Sequence, residues 1–457
     1  MLPEVEKSFK GKRVQVQQTL RGGALGSQQQ QQLEAYYDQY ALARWKDLTQ
    51  AHLTTDFRTE LSNDLKTART GAAHDWLVNR SLEFCTELVN DPNYHPAVRV
   101  NAMLMIGDLN QRDTTTFGED PVPLPAAIPL LLQALADENQ VDAVKVAALW
   151  GIIRHVTLGV ADPNVLDSQI VPAMIQLATS KVESGRSAEG HGWMRARAIE
   201  ALVAAGVLGD QQDPARVPKL LATIVAEKEA QMFTRCVAAR ALGKLPYPDG
   251  LAVDPVAVAT ALSELAVEAT SAELERAKNE ALAVAIPAVA AGRFFSSDYG
   301  DDDDDDYSGD DDDDDDDDSG GLFRTRPLGI TRPGAPAAPA VEVPTAPLRR
   351  RVKTRLDAVW EGLAGGDPAN AHHLWRPPEG GVRTETVGVS LLAKAPHQQA
   401  FIDNLLAKMK VLMDACDDKE TVQTELVTRI ETALDDLSRT AASPPVAAPA
   451  EGQAAVP

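Results

Sequence analysis

Val98-Arg99-Val100-Asn101-Ala102-Met103-Leu104-Met105-Ile106-Gly107 is the stretch that decides the fold, because its pattern returns along the chain. A small or apolar residue precedes Arg or Lys, and apolar or small residues follow three, seven and eight positions later. The basic anchors of the five copies, the last of them degraded, are Arg99, Lys145, Arg195, Arg235 and Lys278. Their separations of 46, 50, 40 and 43 residues predict a two-helix unit that stacks into a solenoid.

A second mark precedes three of these anchors. Apolar residues follow an Ile-Pro or Val-Pro pair at Pro129, Pro172 and Pro218, and these prolines are 43 and 46 residues apart. A proline inside a helix removes a backbone hydrogen bond and bends the helix, so the pattern predicts a bent first helix in each unit.

The alternation of a Pro-bearing helix with a Val-Arg helix resembles HEAT repeats over residues 76–291. The resemblance implies an all-α superhelix of about five helix pairs, whose second helices line the concave side. The composition agrees with a helical chain, since 44% of residues are hydrophobic and only 5% are aromatic.

An acid tract interrupts the chain after the repeats. Sixteen aspartates lie between Asp298 and Asp318, and without them the formal charge of −23 becomes about −7. Like charges repel and nothing apolar is available to bury, so residues 295–347, including a Pro/Ala-rich stretch, are predicted to form a disordered linker. Three roles stay open: a solvating spacer, an electrostatic decoy for a basic groove, and weak association of divalent cations with Asp301–Asp318.

The flanking regions complete the predicted domains on either side of the predicted repeat solenoid, residues 76–294. Residues 1–75, with a glutamine run and the aromatics Tyr36, Tyr37, Tyr40 and Trp45, form an N-terminal helical cap, or alternatively those aromatics dock a partner. Residues 348–440 form a C-terminal helical element and 441–457 a disordered tail. The basic run Arg349–Arg355 resembles a nucleic-acid patch, with the charged outer face of a docked helix as the alternative.

Positions two, five and nine residues after each anchor point away from the apolar face of the second helix. They include five residues of the types that carry binding energy or positive charge: Trp150, Arg154, Arg197, Arg240 and Lys244. These five form the predicted concave binding surface. The alternative is that the arginines are ordinary solvated charges and Trp150 packs between repeats.

No catalytic motif accompanies this surface. The chain has no His-Glu pair of the kind that binds iron in the HEAT-like deoxyhypusine hydroxylases, and no phosphate-binding loop or nucleophile elbow. Cys85, Cys236 and Cys416 are remote in sequence, which indicates buried thiols. We therefore predict a non-enzymatic protein-binding scaffold without cofactor or bound metal, its partner being unidentified. A HEAT-like lyase-type enzyme, or a metal or chromophore handler, is the alternative, and a nucleic-acid binder is less favoured because the chain is acidic.

The sequence also bears on compartment. No stretch of about 18 apolar residues exists, so no membrane span is predicted. Residues 1–7 show no basic-then-apolar leader, which predicts a cytoplasmic protein on the chain as given, or an exported one if a leader precedes this start.

Overall fold

The computed structural model describes residues 3–114, 119–160, 162–182, 185–294, 345–365, 388–418, 421 and 423–445. Regular structure in these ranges is mostly helical, so the all-α prediction is confirmed. The α-helices of these ranges are, in chain order, α1 (Pro3–Gly22), α2 (Ser27–Tyr36), α3 (Thr54–Ala68), α4 (Ala72–Asn90), α5 (Pro96–Asp108), α6 (Ala127–Ala136), α7 (Asp142–Leu158), α8 (Pro163–Val165), α9 (Val171–Thr179), α10 (Ala188–Ala205), α11 (Arg216–Ala226), α12 (Met232–Leu242), α13 (Pro255–Phe294), α14 (Thr345–Ala364), α15 (Pro396–Asp417) and α16 (Gln423–Ala441).

Short elements connect these helices. Two π-helical turns and three 3-10 turns occur in the described ranges: Tyr37–Ala41, Leu166–Ile170, Ala43–Lys46, Leu48–Leu53 and Val389–Leu392. One antiparallel hairpin pairs β1 (Asn110–Arg112) with β2 (Val122–Pro123), and Asn110 lies opposite Pro123. The hairpin follows closely on α5, since β1 begins two residues after that helix ends.

Neighbouring helices pack as pairs: α4 with α5, α6 with α7, α9 with α10, and α11 with α12. The second members also pack on one another in the order α5, α7, α10, α12. Gln140, just before α7, accepts a hydrogen bond of 2.5 Å from Arg99 near the start of α5. Because Gly107 near the end of α5 meets Gly151 in the second half of α7, these two helices run in the same direction.

The row of second helices continues with α14, which packs on both α12 and α13. Gly243, at the end of α12, approaches the backbone of Glu361 and Gly362 in α14 so closely that a Cβ on Gly243 would collide with it. The long helix α13 thus stands in the first-helix place of this last pair, and α14 stands in the second-helix place.

The buried arginine anchors explain why the sequence pattern recurs. The Nε of Arg99, Arg195 and Arg235 donates to the carbonyls of Val89, Ala178 and Val225 at 3.2, 2.7 and 2.9 Å. Each acceptor is the next-to-last residue of the preceding helix, whose last carbonyls lack a partner within the helix. Each guanidinium also reaches one further acceptor: Gln140, Glu227 and Glu268, respectively. Lys145, the anchor of α7, is likewise buried.

Lys278, the fifth anchor predicted from the sequence, does not share this buried environment. It lies inside α13, which runs unbroken to Phe294, and not in a separate second helix. Its side chain is 37% exposed and pairs with Glu275 and Glu431 at 2.9 and 3.2 Å. The helix that packs on both α12 and α13 is instead α14.

The prolines also differ from the prediction. Pro129, Pro172 and Pro218 are the third, second and third residues of α6, α9 and α11. In the first turn of a helix the backbone N–H has no intrahelical partner, so proline fits there without bending the helix. Pro129 and Pro218 therefore mark helix starts, and the prediction of a bent first helix is wrong for α6 and α11. Pro172 differs, because the π-helical turn Leu166–Ile170 leads directly into α9 and this proline lies within a continuous helical run from Pro163 to Thr179.

The N-terminal aromatics belong to the core. Tyr36, Tyr37, Tyr40 and Trp45 are each 3% exposed or less, and Phe9 of α1 stacks on Tyr40 with 5.5 Å between ring centres. These rings are consequently not available to a partner. The predicted boundary at residue 75 falls inside α4, since that helix begins at Ala72.

The predicted C-terminal element is helical. α14 begins at Thr345, three residues before the predicted boundary at 348, and α15 packs on α16. Residues 295–344 and 446–457 lie outside the described residues. None of the described helices carries an apolar stretch of the length that a bilayer crossing needs.

Candidate functional site

The five residues of the predicted surface lie on the row of second helices. Trp150 and Arg154 belong to α7, Arg197 to α10 and Arg240 to α12, while Lys244 lies two residues beyond the end of α12. The helices α7, α10 and α12 pack side by side, and we call the face on which these residues are predicted to lie the second-helix surface. The structure brings them together in two groups, one around Arg197 and one around Arg240, while Arg154 is tied to the hairpin.

Arg197 lies near two indole rings, that of Trp193 on its own helix α10 and that of Trp150 on the neighbouring helix α7. Its Cζ is 4.9 Å from the ring centre of Trp193 and 5.7 Å from that of Trp150, distances at which a guanidinium is attracted to an aromatic face. The guanidinium also pairs with Glu200 at 2.6 Å. Trp150 is nevertheless 41% exposed, so it offers a free aromatic surface whose position the Arg197 stack fixes.

Arg154 is held by the protein itself. It donates from Nη1 to the carbonyl of Gly107 at 3.1 Å and from Nη2 to Oδ1 of Asn110. Burial lowers its pKa, against the fields of Asp108 and Asp113. Arg154 therefore serves to join α7 to the end of α5 and to the β1 hairpin, and it contributes little free charge to the second-helix surface.

Arg240 and Lys244 lie among carboxylates. Arg240 pairs through Nε with Glu361 of α14 at 2.9 Å, and Lys244 is exposed. Burial raises the pKa of Glu200, against the fields of Arg197, Lys244 and Arg240, which lower it. Cations and carboxylates thus alternate across α10, α12 and α14, and this part of the surface is of mixed charge.

Two aromatic residues of this surface were missed from the sequence. Trp193 and Phe233 each stand two positions before an anchor, Arg195 or Arg235. That position is four residues before the +2 position, so it belongs to the same helical stripe. Phe233 is 40% exposed and Trp193 partly buried against the core. Extending the stripe backwards by one turn would have found both.

The basic run at the start of α14 is engaged in internal contacts. Arg349 donates to the carbonyl of Thr421 at 3.1 Å, and Lys353 pairs with Asp417 at 2.6 Å. Arg351 and Arg355 face Glu273 of α13 at 3.0 and 3.6 Å. Four of the five basic side chains thus act within the fold, as the charged face of a docked helix does.

The thiols and carboxylates form no further site in the described ranges. Cys85, Cys236 and Cys416 are buried and unpaired, and burial raises the pKa of Cys416 to about 11. Among the residues that the structure describes, no group of three or more His, Cys, Asp or Glu side chains is placed to hold a metal ion. The acid tract Asp301–Asp318 lies outside those residues.

His155, next to Arg154, gives a pH-dependent prediction. Burial, helped by the positive charge of Arg154, lowers its pKa to about 4. An unfolded chain takes up this proton below pH about 6.5, whereas the folded chain resists it. Stability should therefore fall by about 2–3 kcal/mol as pH drops from 6.5 to 4. Urea unfolding at several pH values in this range gives the free energy of unfolding as a function of pH. This free energy should fall less steeply with falling pH for His155→Leu than for the wild type. For His52→Gln, a change at an exposed position, it should fall as steeply as in the wild type. Equal slopes for all three proteins would contradict the assignment.

Comparison with models of known protein families, with curated proteins and with solved structures finds no match to this chain.

Proposed function

We propose that this protein is a non-enzymatic scaffold that binds a protein partner through the second-helix surface. The single observation that carries the proposal is the Trp150–Arg197–Trp193 stack, which holds a large aromatic side chain 41% exposed in a fixed position. Exposed Trp and Arg are the residue types that most often supply binding energy at interfaces.

The finer architecture belongs to the same proposal. The recurring anchors, the packing of second helices in sequence order and the parallel direction of α5 and α7 support a HEAT-like α-solenoid. In such a fold each unit contacts its neighbours, and the second helices offer one continuous surface. A partner would then contact several units at once.

The dimensions favour an extended segment as the bound element. Packed helices lie about 8–10 Å apart, so Trp150 on α7 and Phe233 on α12 are separated by about 20 Å. An extended chain of about six residues spans that distance. The alternating charges of Arg197, Glu200 and Arg240 between the two aromatics would set its register more than its affinity.

Binding should depend on the two exposed aromatics. The double variant Trp150→Ala/Phe233→Ala is expected to weaken partner binding by about tenfold or more, because both side chains are anchors with little role in the core. The measurement is quantitative affinity capture from native lysate, with mass spectrometry of proteins and small molecules. Leu391→Ala/Val411→Ala, which truncates two apolar residues exposed elsewhere, is the matched control. Retention of the whole protein set by the aromatic variant would refute the proposal.

The same affinity capture tests the alternative function that the sequence analysis left open. A lyase-type enzyme, or a metal or chromophore handler, would co-purify with a metal or pigment and with no defined protein set. A nucleic-acid role through Arg349–Arg355 is less favoured, since four of those five basic side chains have internal partners.

For the acid tract we favour the spacer role. A decoy for the second-helix surface needs unpaired cations, but Arg154, Arg197 and Arg240 each have an internal partner. Among the cations of the predicted surface, Lys244 is the one left exposed to such competition. One exposed lysine gives an acidic segment little to hold at physiological salt.

A further inference from the structure

The last helix of the second-helix row comes from a distant part of the chain. α13 ends at Phe294 and α14 begins at Thr345, with 50 residues between them. We propose that the surface formed by α12 and α13 is a docking site for the chain's own helices α14, α15 and α16, the docked segment, which is held there by its contacts and not by chain continuity. The occupant is an amphipathic basic helix, α14, carried by the α15–α16 hairpin.

The apolar face of α14 is fully covered in the docked state. Leu348, Val352, Leu356, Val359 and Leu363 are all 0% exposed, and their spacing places them along one side of the helix. A helix of this kind is not stable alone in water, since its apolar stripe needs a partner surface. The stripe therefore requires the hydrophobic surface that α12, α13 and α15 provide.

The crossing of α12 and α14 is built for close approach. A Cβ on Gly362 would lie 2.5 Å from the carbonyl oxygen of Ala239 and 3.2 Å from Cδ2 of Leu262. On the other helix, Gly243 meets the backbone of Glu361. Only a helix with a glycine at this point of its surface fits, so the site selects its occupant by shape.

Charge complementarity fixes the register. Arg351 pairs with Glu273 and Glu280 of α13, both at 3.0 Å, and Arg355 faces Glu273 at 3.6 Å. Glu273 is 8% exposed, so its charge needs these partners. Two arginines one turn apart meet two carboxylates two turns apart, and a shift of α14 by one turn would leave Glu273 or Glu280 without its arginine.

The occupant holds together as a unit of three helices. Arg349 donates to the carbonyls of Thr421 and Cys416 at 3.1 and 3.4 Å, and Lys353 pairs with Asp417, so α14 is tied to the end of α15. α16 packs on α15 and also contacts α13. The segment therefore leaves or binds as a whole.

The docked segment also touches the proposed binding surface, since its Glu361 neutralises Arg240. This consequence rests on the proposed function, whereas the docking itself does not. The covalent link through residues 295–344 keeps the segment near its own site, because it makes the docking intramolecular. Once this link is cut, the contacts alone must hold the segment.

A cleavage experiment on the full chain tests the docking. A protease recognition sequence is inserted between Gly320 and Gly321, the purified protein is cut, and complete cleavage is verified on a denaturing gel. We expect both pieces to co-elute in size exclusion at micromolar concentration. Separation of the wild-type pieces would overturn the proposal, as would an intact chain that elutes as a dimer and exchanges its segment with a second copy.

Charge variants locate the contact. Arg351→Glu/Arg355→Glu should weaken retention of the cut segment by at least about 30-fold. Arg350→Glu, a change on an exposed side chain of the same helix, should leave retention unchanged. Adding Glu280→Arg to Arg351→Glu should restore part of the loss, which a merely misfolded variant would not show. Equal retention by all these variants would exclude the ion pairs as the basis of docking.

Discussion

Replacing Arg235 by alanine is expected to lower the free energy of unfolding by about 2–4 kcal/mol. The side chain is 3% exposed, donates to the carbonyl of Val225 at 2.9 Å and pairs with Glu268 at 2.8 Å. Alanine leaves a cavity and a buried carbonyl at the end of α11 without its donor, while the more exposed Glu268 regains water. Urea unfolding followed by circular dichroism measures the loss.

Lys278 is the matched control for this experiment. The sequence pattern assigns it the same anchor role, but its side chain is 37% exposed and both of its ion pairs are at the surface. Lys278→Ala should therefore cost about 0–1 kcal/mol. Arg235→Lys should fall between the two, since lysine keeps the charge but lacks the fork that serves two acceptors. Similar losses for Arg235→Ala and Lys278→Ala would contradict the assignment of distinct environments.

The anchors illustrate how far the sequence predicts this fold. Four of the five basic anchors are buried in second helices. The pattern predicts these four because it lies within a single helix, where the spacing of residues indicates which of them are buried. The fifth failed for a local reason. α13 has no glycine or proline between Val256 and Ile286, so nothing in that stretch shows that one long helix replaces a pair.

The place of α14 could not be read from the sequence for a different reason. Its amphipathic pattern predicts a helix but not the surface that covers it. The covering surface depends on the crossing at Gly243 and Gly362 and on the ion pairs of Arg351 with Glu273 and Glu280. These partners are separated by about 70 to 120 residues, and no spacing rule connects residues so distant.

At the candidate site, too, the sequence predicts one part of the arrangement and not the other. Helical periodicity predicts Trp150, Arg197 and Arg240 on one face, and in the structure Arg197 lies 5.7 Å from the ring centre of Trp150. Periodicity does not say which charges remain free. Arg154 and Arg240 face acceptors from other elements, Gly107 and Glu361, so a surface that reads as cationic in the sequence is largely neutralised in the fold.

The second large effect is expected where α1 packs on α3. Asp64→Ala should lower the free energy of unfolding by about 2–4 kcal/mol. Asp64 is 2% exposed and accepts hydrogen bonds from Tyr37 at 2.9 Å, from Gln17 at 2.5 Å and from Arg13 at 3.2 Å. Alanine leaves the fully buried Tyr37 hydroxyl without an acceptor, whereas Arg13, 37% exposed, can turn to water.

Two further substitutions decide whether hydrogen bonding at Asp64 sets this cost. Burial raises the pKa of Asp64, so a neutral acceptor is tolerated there, and Asp64→Asn should lose only about half of what Asp64→Ala loses. Asp56→Ala removes an exposed carboxylate from the first turn of the same helix, α3, and should cost less than about 1 kcal/mol. Unfolding curves with one common midpoint for the wild type and all three variants would show that Asp64 does not hold α1 to α3. A large loss for Asp64→Ala together with faster proteolysis of residues 3–22 would locate the damage at α1, because Arg13 and Gln17 are the residues of that helix that Asp64 binds.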